Sequence, residues 1–138
     1  MADATGFETG AALDRRSSDH GSFAGCRILL VEDEIALADI LLDYLRAEGA
    51  HIIGPIDNVE DALSALRTNK IDAAILDISL RGERTYAIAD KLQKIDVPFI
   101  FLTGNTSWAA PGYDTVPMLQ KPFDQGLLKV TLSNLLRG

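Results

Sequence analysis

Residues 71–79 read IDAAILDIS, and how this stretch is read decides the fold. Ile71, Ala73, Ala74, Ile75 and Leu76 make a short apolar run bounded by polar residues. A run of that length suits a strand covered on both faces better than one with a wet side. Asp77 then stands where the strand emerges. In open α/β sheets, ligands gather beyond the carboxyl ends of the strands, so a carboxylate there is a candidate for chemistry. Taken alone, Asp77 reads equally well as a residue capping the next loop.

Four other segments are read as strands. Residues 27–31 (RILLV) are apolar and stop at Glu32-Asp33-Glu34. Residues 51–56 (HIIGPI) predict a short strand broken by Gly54-Pro55, where proline suits an exposed edge. Residues 97–102 (VPFIFL) lead to Thr103-Gly104, and residues 116–120 lead to Lys121-Pro122. Helical periods fall between them. One begins at Glu34, with Leu37, Leu41 and Tyr44 or Leu45 on one face and Gly49 as its stop. A second runs from a cap at Asp57 or Asn58 to about Thr68, a third spans residues 85–95, and the last starts at an Asp124 cap with Phe123 packed on Leu128. Residues 80–83 are expected to form a loop. Residues 105–115, with Pro111 and Gly112, leave room for a short or irregular fourth helix. Such alternation predicts a doubly wound, five-stranded parallel sheet with right-handed crossovers.

The bulk properties set limits. A chain of 138 residues suits one well-buried domain and is too short for two of ordinary size. Its net charge of −7 argues against nucleic acid as a direct partner, because phosphate binding needs a basic face. The single cysteine, Cys26, forms no internal disulfide and reads as filler at the start of a strand. No apolar run is long enough for a membrane span, and the N-terminus lacks the order of a signal peptide, so a cytoplasmic protein is the expectation. Residues 1–25, rich in glycine and serine, are expected to be a flexible tail, leaving residues 26–138 as the domain. His51 has no ligand partner at useful spacing and is read as a surface or edge residue.

If the strands are parallel, Glu32 and Asp33, Asp77, Thr103 and Lys121 all project from one edge of the sheet. Carboxylates packed together repel by roughly 4 kcal/mol per pair at ~4 Å and an effective dielectric of ~20, so a cation must offset them. Hard oxygen ligands suit Mg²⁺, and Lys121 adds a second positive charge. A divalent ion, a lysine and a hydroxyl around one carboxylate are equipment for handling a phosphoryl group.

RILLVEDE, AAILDIS, FIFLTG and LQKPFD, in this order, resemble the landmark motifs of the response-regulator receiver domain of two-component signalling. The resemblance covers residues 26–138 and implies a flavodoxin-like fold with strand order 2-1-3-4-5. It implies that Asp77 accepts a phosphoryl group, that Glu32, Asp33, Asp77 and the main-chain carbonyl of Ser79 hold Mg²⁺, and that Thr103 is a switch hydroxyl. Lys121 would contact the phosphoryl group, and Pro122 would follow a cis peptide bond. The implied partners are a sensor histidine kinase and a downstream protein target or phosphotransfer protein, with no nucleic acid and no membrane. Such a protein is not an enzyme in the ordinary sense, since it assists only its own phosphorylation and dephosphorylation, and with no further domain after Gly138 its output is expected to be protein association.

Several positions depart from the pattern. Glu32 replaces the commoner Asp. Met118 stands where the last strand usually carries Tyr or Phe, so the aromatic half of the usual switch is missing. The loop after Asp77 reads Leu80-Arg81-Gly82-Glu83, without the usual Met-Pro and Asp-Gly. PFIFLTGN, with Asn105 after the switch, resembles the atypical FAT GUY subclass although Leu102 replaces its Ala; that subclass implies a kinase of the HWE or a related type. Two rivals stand beside this reading. A haloacid-dehalogenase-like phosphohydrolase needs a second Asp where this chain has Ser79, and a pseudo-receiver would fold identically and never be phosphorylated. A nucleotide-binding fold lacks its glycine-rich turn after the first strand.

Overall fold

The structure is a computed structural model in which residues 21–104 and 111–137 are described. Its parallel sheet consists of β1 (Arg27–Val31), β2 (His51–Ile56), β3 (Ala73–Asp77), β4 (Phe99–Thr103) and β5 (Met118–Gln120). The strand order is β2-β1-β3-β4-β5, and every pairing is parallel. The helices are α1 (Ile35–Ala47), α2 (Val59–Thr68), α3 (Tyr86–Lys94) and α4 (Gln125–Arg137). This is the expected flavodoxin-like arrangement.

The apolar strands divide by parity. In β3, Ala73 and Ile75 face a cluster with Leu41 and Leu45 of α1 and Leu128 and Leu132 of α4. Ala74 and Leu76 face the other way, onto Ala62 and Leu66 of α2 and Ile88 and Leu92 of α3. An unbroken apolar run is therefore a two-sided strand, and β3 is buried along its whole length.

Strand entries lie later than the sequence suggests. Expected from residues 71, 97 and 116, the strands begin at Ala73, Phe99 and Met118. Proline explains two of these: Pro98 and Pro117 have no N–H to give, yet their carbonyls accept from Ala74 and Phe101. Before β3, Asp72 meets Arg27 twice: its N–H donates to the Arg27 carbonyl at 2.7 Å, and its carboxylate accepts the Arg27 N–H at 2.9 Å.

β2 is not broken at Gly54-Pro55. The strand continues through a cis peptide bond there, with a register shift between Leu29 and Val31 of β1. Gly54 has φ +128°, and a Cβ at that position would lie 2.5 Å from the Leu30 carbonyl oxygen, so only glycine fits. Residues 80–83 form a hairpin rather than a loop: Ser79–Leu80 pairs antiparallel with Glu83–Arg84. Arg81 and Gly82 carry φ values of 50° and 84°, the two left-handed positions of a tight type I′ turn.

The caps follow the sequence closely. The Asn58 side chain accepts from the Asp61 N–H at 2.8 Å, and the Asp124 carboxylate accepts from the Leu127 N–H at 2.7 Å. Residues 111–117 contain turns and no helix.

The chain joins the fold before residue 26. Phe23, placed in the tail by the sequence, is 1% exposed within the cluster beneath α1 and α4. Its N–H donates to the Glu48 carbonyl at 2.8 Å, and the Ser22 N–H donates to the Glu48 carboxylate at 2.9 Å. The expected tail over residues 1–20 lies outside the described residues. Cys26 is half-buried against the same cluster, and His51 is exposed.

Two predictions follow from this anchor. Phe23→Ala is expected to cost about 3–5 kcal/mol in urea unfolding at an unchanged slope, and an unchanged midpoint would show that the anchor contributes nothing. The hydrogen bond from Ser22 and the nearby Lys129 ammonium hold the Glu48 carboxyl below its ordinary 4.5. This contribution is fully present above about 4.5 and disappears as pH falls through the lowered value, so Glu48→Gln is expected to flatten the acid limb of the melting profile.

Candidate functional site

The carboxyl ends of β1, β3, β4 and β5 bring Glu32 and Asp33, Asp77, Thr103 and Lys121 to one edge. Each is placed by main chain. Glu32 leaves the sheet as its N–H donates to the Ile56 carbonyl at 2.9 Å, and Lys121 follows β5 with its N–H on the Thr103 carbonyl at 2.7 Å. Glu32, Asp77 and Thr103 are all buried.

Asp77 is fixed at both oxygens. Oδ1 accepts the Ser79 N–H at 3.0 Å, and Oδ2 accepts from Lys121 Nζ at 2.8 Å. The same ammonium lies 2.9 Å from Glu32 Oε1 and 3.7 Å from the exposed Glu34 carboxylate. Glu32 Oε2 accepts the Glu34 N–H at 2.9 Å, whereas Oε1 is buried and has ion-pair proximity to Lys121 without hydrogen-bond geometry. Asp33 Oδ2 accepts the Arg81 N–H at 2.9 Å, and Arg81 Nη2 donates to Asp57 at 2.6 Å.

The electrostatics reflect crowding. Burial pushes the Glu32 carboxyl up to about 7, and the Asp77 charge adds to the shift, against the opposing pull of Lys121 and the Glu34 N–H. Burial works to lower the Lys121 ammonium, but Asp77 and Glu32 outweigh it and hold Lys121 above its ordinary value. One lysine thus faces more carboxylate charge than it neutralises.

Glu32, Asp33 and Asp77 each offer one carboxylate oxygen, and these oxygens lie within 4.8 Å of one another. Hard, anionic oxygen donors at such separations, two of them on buried residues, fit a divalent cation of the Mg²⁺ type. The structure therefore assembles Glu32, Asp33, Asp77, Thr103 and Lys121. Ser79 meets Asp77 through its N–H, and the Lys121-Pro122 peptide bond is cis. Met118 pairs with Phe101 and packs on the side of α2 and α3. Asn105 lies outside the described residues.

Sequence reasoning missed three neighbours. Arg81 reaches the acidic pocket because the tight hairpin turns it back. Thr85, fully buried, donates its hydroxyl to the Asp77 main-chain carbonyl at 2.7 Å. Tyr113 supplies an aromatic ring beside β4: it stacks on Tyr86 at 5.6 Å, meets Phe101 edge-on at 5.5 Å, and its hydroxyl donates to Asp90. Burial and the Asp90 carboxylate push the Tyr113 phenol up to about 12. Thr85 was visible at the start of a helical period, but only as the helix's first residue; Tyr113 lay in an irregular segment and carried no signal.

Comparison with known proteins gives a consistent picture. The family profile of the response regulator receiver domain matches residues 28–133. The sensory transduction protein LytT of Bacillus anthracis is 36% identical over 111 residues, covering 77% of this chain and 45% of the relative. The chain thus spans about half the length of the curated relatives it matches. Among solved structures, SdrG from Sphingomonas melonis Fr1 is 36% identical with a TM-score of 0.69, over 81% of this chain and 93% of SdrG. Response regulator protein TrrA from Thermotoga maritima, in complex with Mg²⁺-BeF, is 29% identical with a TM-score of 0.71, over 80% of this chain and 99% of TrrA. No helix among the described residues is long and apolar enough to cross a membrane.

The buried charge of Glu32 predicts an effect on the metal-free protein. With a chelator present, Glu32→Gln is expected to raise the melting temperature, because it removes a desolvated carboxylate beside Asp77 yet keeps an acceptor for the Glu34 N–H. Adding Mg²⁺ is expected to raise the melting temperature of the wild type and to leave that of Glu32→Gln nearly unchanged. A metal response of equal size in both would remove Glu32 from the ligand set.

Proposed function

Because the chain belongs to the response regulator receiver domain family, we propose that it takes a phosphoryl group from a phosphohistidine of a sensor histidine kinase onto Asp77 and signals by protein association. The observation that carries this reading is the single carboxylate of Asp77 held between the Ser79 N–H and Lys121, next to two further carboxylates. That set supports phosphoryl acceptance and gives no reason to favour an ordinary capping role.

In the proposed step, an Asp77 carboxylate oxygen forms the new P–O bond. The P–N bond to the donor imidazole breaks, and its electron pair leaves with the imidazole. Mg²⁺ held by Glu32, Asp33, Asp77 and the Ser79 carbonyl would supply positive charge against the phosphoryl oxygens. Lys121, ion-paired with Asp77 at 2.8 Å, is within reach of a phosphoryl group added there. Thr103, at the end of the neighbouring strand, contributes a hydroxyl that donates to a phosphoryl oxygen. The product carries about −1.5 to −2 additional charge, enough to redistribute these contacts.

The kinase is proposed to be of the HWE or a related type, on the resemblance of PFIFLTGN to the FAT GUY subclass. The receiver acts in the cytoplasm, and its output is docking on a protein target or onward transfer to a phosphotransfer protein. The hydrolase alternative is disfavoured by Ser79, where a second nucleophile-proximal Asp is required. Mass spectrometry of the intact protein after treatment with acetyl phosphate tests the proposal. One phosphoryl adduct is expected with Mg²⁺, none with chelator and none for Asp77→Asn. No adduct on the wild type, under conditions that label a known receiver, would establish an unphosphorylated interaction module instead.

A further inference from the structure

Thr85 occupies the position before α3, with φ −98° and ψ 22°, but its side chain caps nothing in that helix. A threonine there ordinarily accepts an N–H from the first turn. Instead Oγ1 donates to the Asp77 main-chain carbonyl at 2.7 Å, and the Thr85 N–H donates to the Ile78 carbonyl at 3.1 Å. The side chain is 0% exposed. A buried hydroxyl at a helix start is thus committed to the main chain of the carboxylate at the centre of the site.

The sheet explains why a donor is needed there. The Ile78 N–H donates to the Leu102 carbonyl of β4 at 2.9 Å. The N–H and C=O of one peptide point opposite ways, so the Asp77 carbonyl faces β1. On that side the ladder ends at the pair Val31 and Leu76, because the chain beyond turns away to place Glu32 and Asp33. Without Thr85, that carbonyl would be a buried acceptor lacking a ladder donor. The orientation of this peptide also matters for chemistry. Asp77 Oδ1 is held by the Ser79 N–H, two residues on, so peptide 77–78 lies between the carboxylate and its main-chain donor, and its orientation bears on their relative geometry.

We propose that Thr85 is a positioning residue for phosphoryl transfer: its hydroxyl holds the Asp77–Ile78 peptide so that the Asp77 carboxylate is presented to the donor. It touches no reacting atom. The bond made is P–O at Asp77, and the bond broken is the donor's own, whose leaving group takes the electron pair. This inference rests on the reading of Asp77 as the acceptor.

The test uses the full chain with acetyl phosphate and Mg²⁺, following adduct formation by intact mass at graded donor concentrations. It compares the wild type with Thr85→Ser, Thr85→Val and Thr85→Ala, with the folded fraction of each measured by urea unfolding. Thr85→Ser is expected to label as the wild type does. Thr85→Val, which keeps the shape and loses the hydroxyl, is expected to lose about tenfold or more of the rate at saturating donor, with an unchanged half-saturating concentration, because misplacement of a reacting group is costly without weakening donor binding. Thr85→Ala is expected to be equally slow and stands in if the valine variant does not fold. Wild-type rates in Val and Ala, rates that recover once corrected for unfolded protein, or a Ser variant as slow as Val would each overturn the positioning role. A wild type that takes up no phosphoryl group would instead overturn the acceptor assignment, and this role with it.

Discussion

The arrangement at the sheet edge depends on the contact between Lys121 Nζ and two buried carboxylates, Asp77 at 2.8 Å and Glu32 at 2.9 Å. Neither acid tolerates burial alone, since an unpaired charge away from water costs several kcal/mol or protonates. Lys121 makes the ionised pair tolerable without making it neutral. Asp33, attached to the Arg81 N–H, adds a third charge to the same pocket. The site is therefore held short of positive charge, a condition that a divalent cation would relieve. The adverse energy is sustained by the two-sided apolar core below it, whose central strands β1, β3 and β4 are almost wholly excluded from water.

That core also dictates how the groups arrive. In a parallel sheet all carboxyl ends lie on one edge, so four stretches far apart in sequence deliver their last side chains to one place. Parity divides the central strands β1, β3 and β4 between α1 with α4 and α2 with α3, leaving almost no face of these strands for polar groups. Polar function is confined to the last residues of the strands and those just past them. Glu32, Asp33, Ser79 and Lys121 all occupy such positions, while Asp77 and Thr103 are themselves the last residues of their strands.

The strands and the groups at their ends were legible because both follow from patterns local to each strand, an apolar run and then a charged or hydroxyl residue, whereas the strand order was implied by the family resemblance. Helix caps at Asn58 and Asp124 were legible for the same reason. Features made by distant partners were not. The Phe23 anchor depends on a carbonyl at Glu48, a residue on the far side of β1 and α1, and nothing in a glycine-rich segment announces it. The continuity of β2 through Gly54-Pro55 depends on the space beside the Leu30 carbonyl. The hairpin after Ser79 was missed because Arg81 is an unusual choice for a left-handed position, which glycine or asparagine more often fills.

Met118 shows how a missing residue type can be replaced from elsewhere. A thioether in the last strand packs well but lacks a ring and a hydroxyl, so it cannot stack or donate. The ring beside β4 comes instead from Tyr113, which rests edge-on against Phe101, two residues before Thr103, and is fastened to α3 through Tyr86 and Asp90. Thr85 fastens the start of the same helix to the Asp77 carbonyl. Two independent contacts, one from the Asp77 peptide and one from the β4 surface, thus converge on α3. The first contact ties the start of α3 to the Asp77 main chain and the second ties its middle to the ring beside β4.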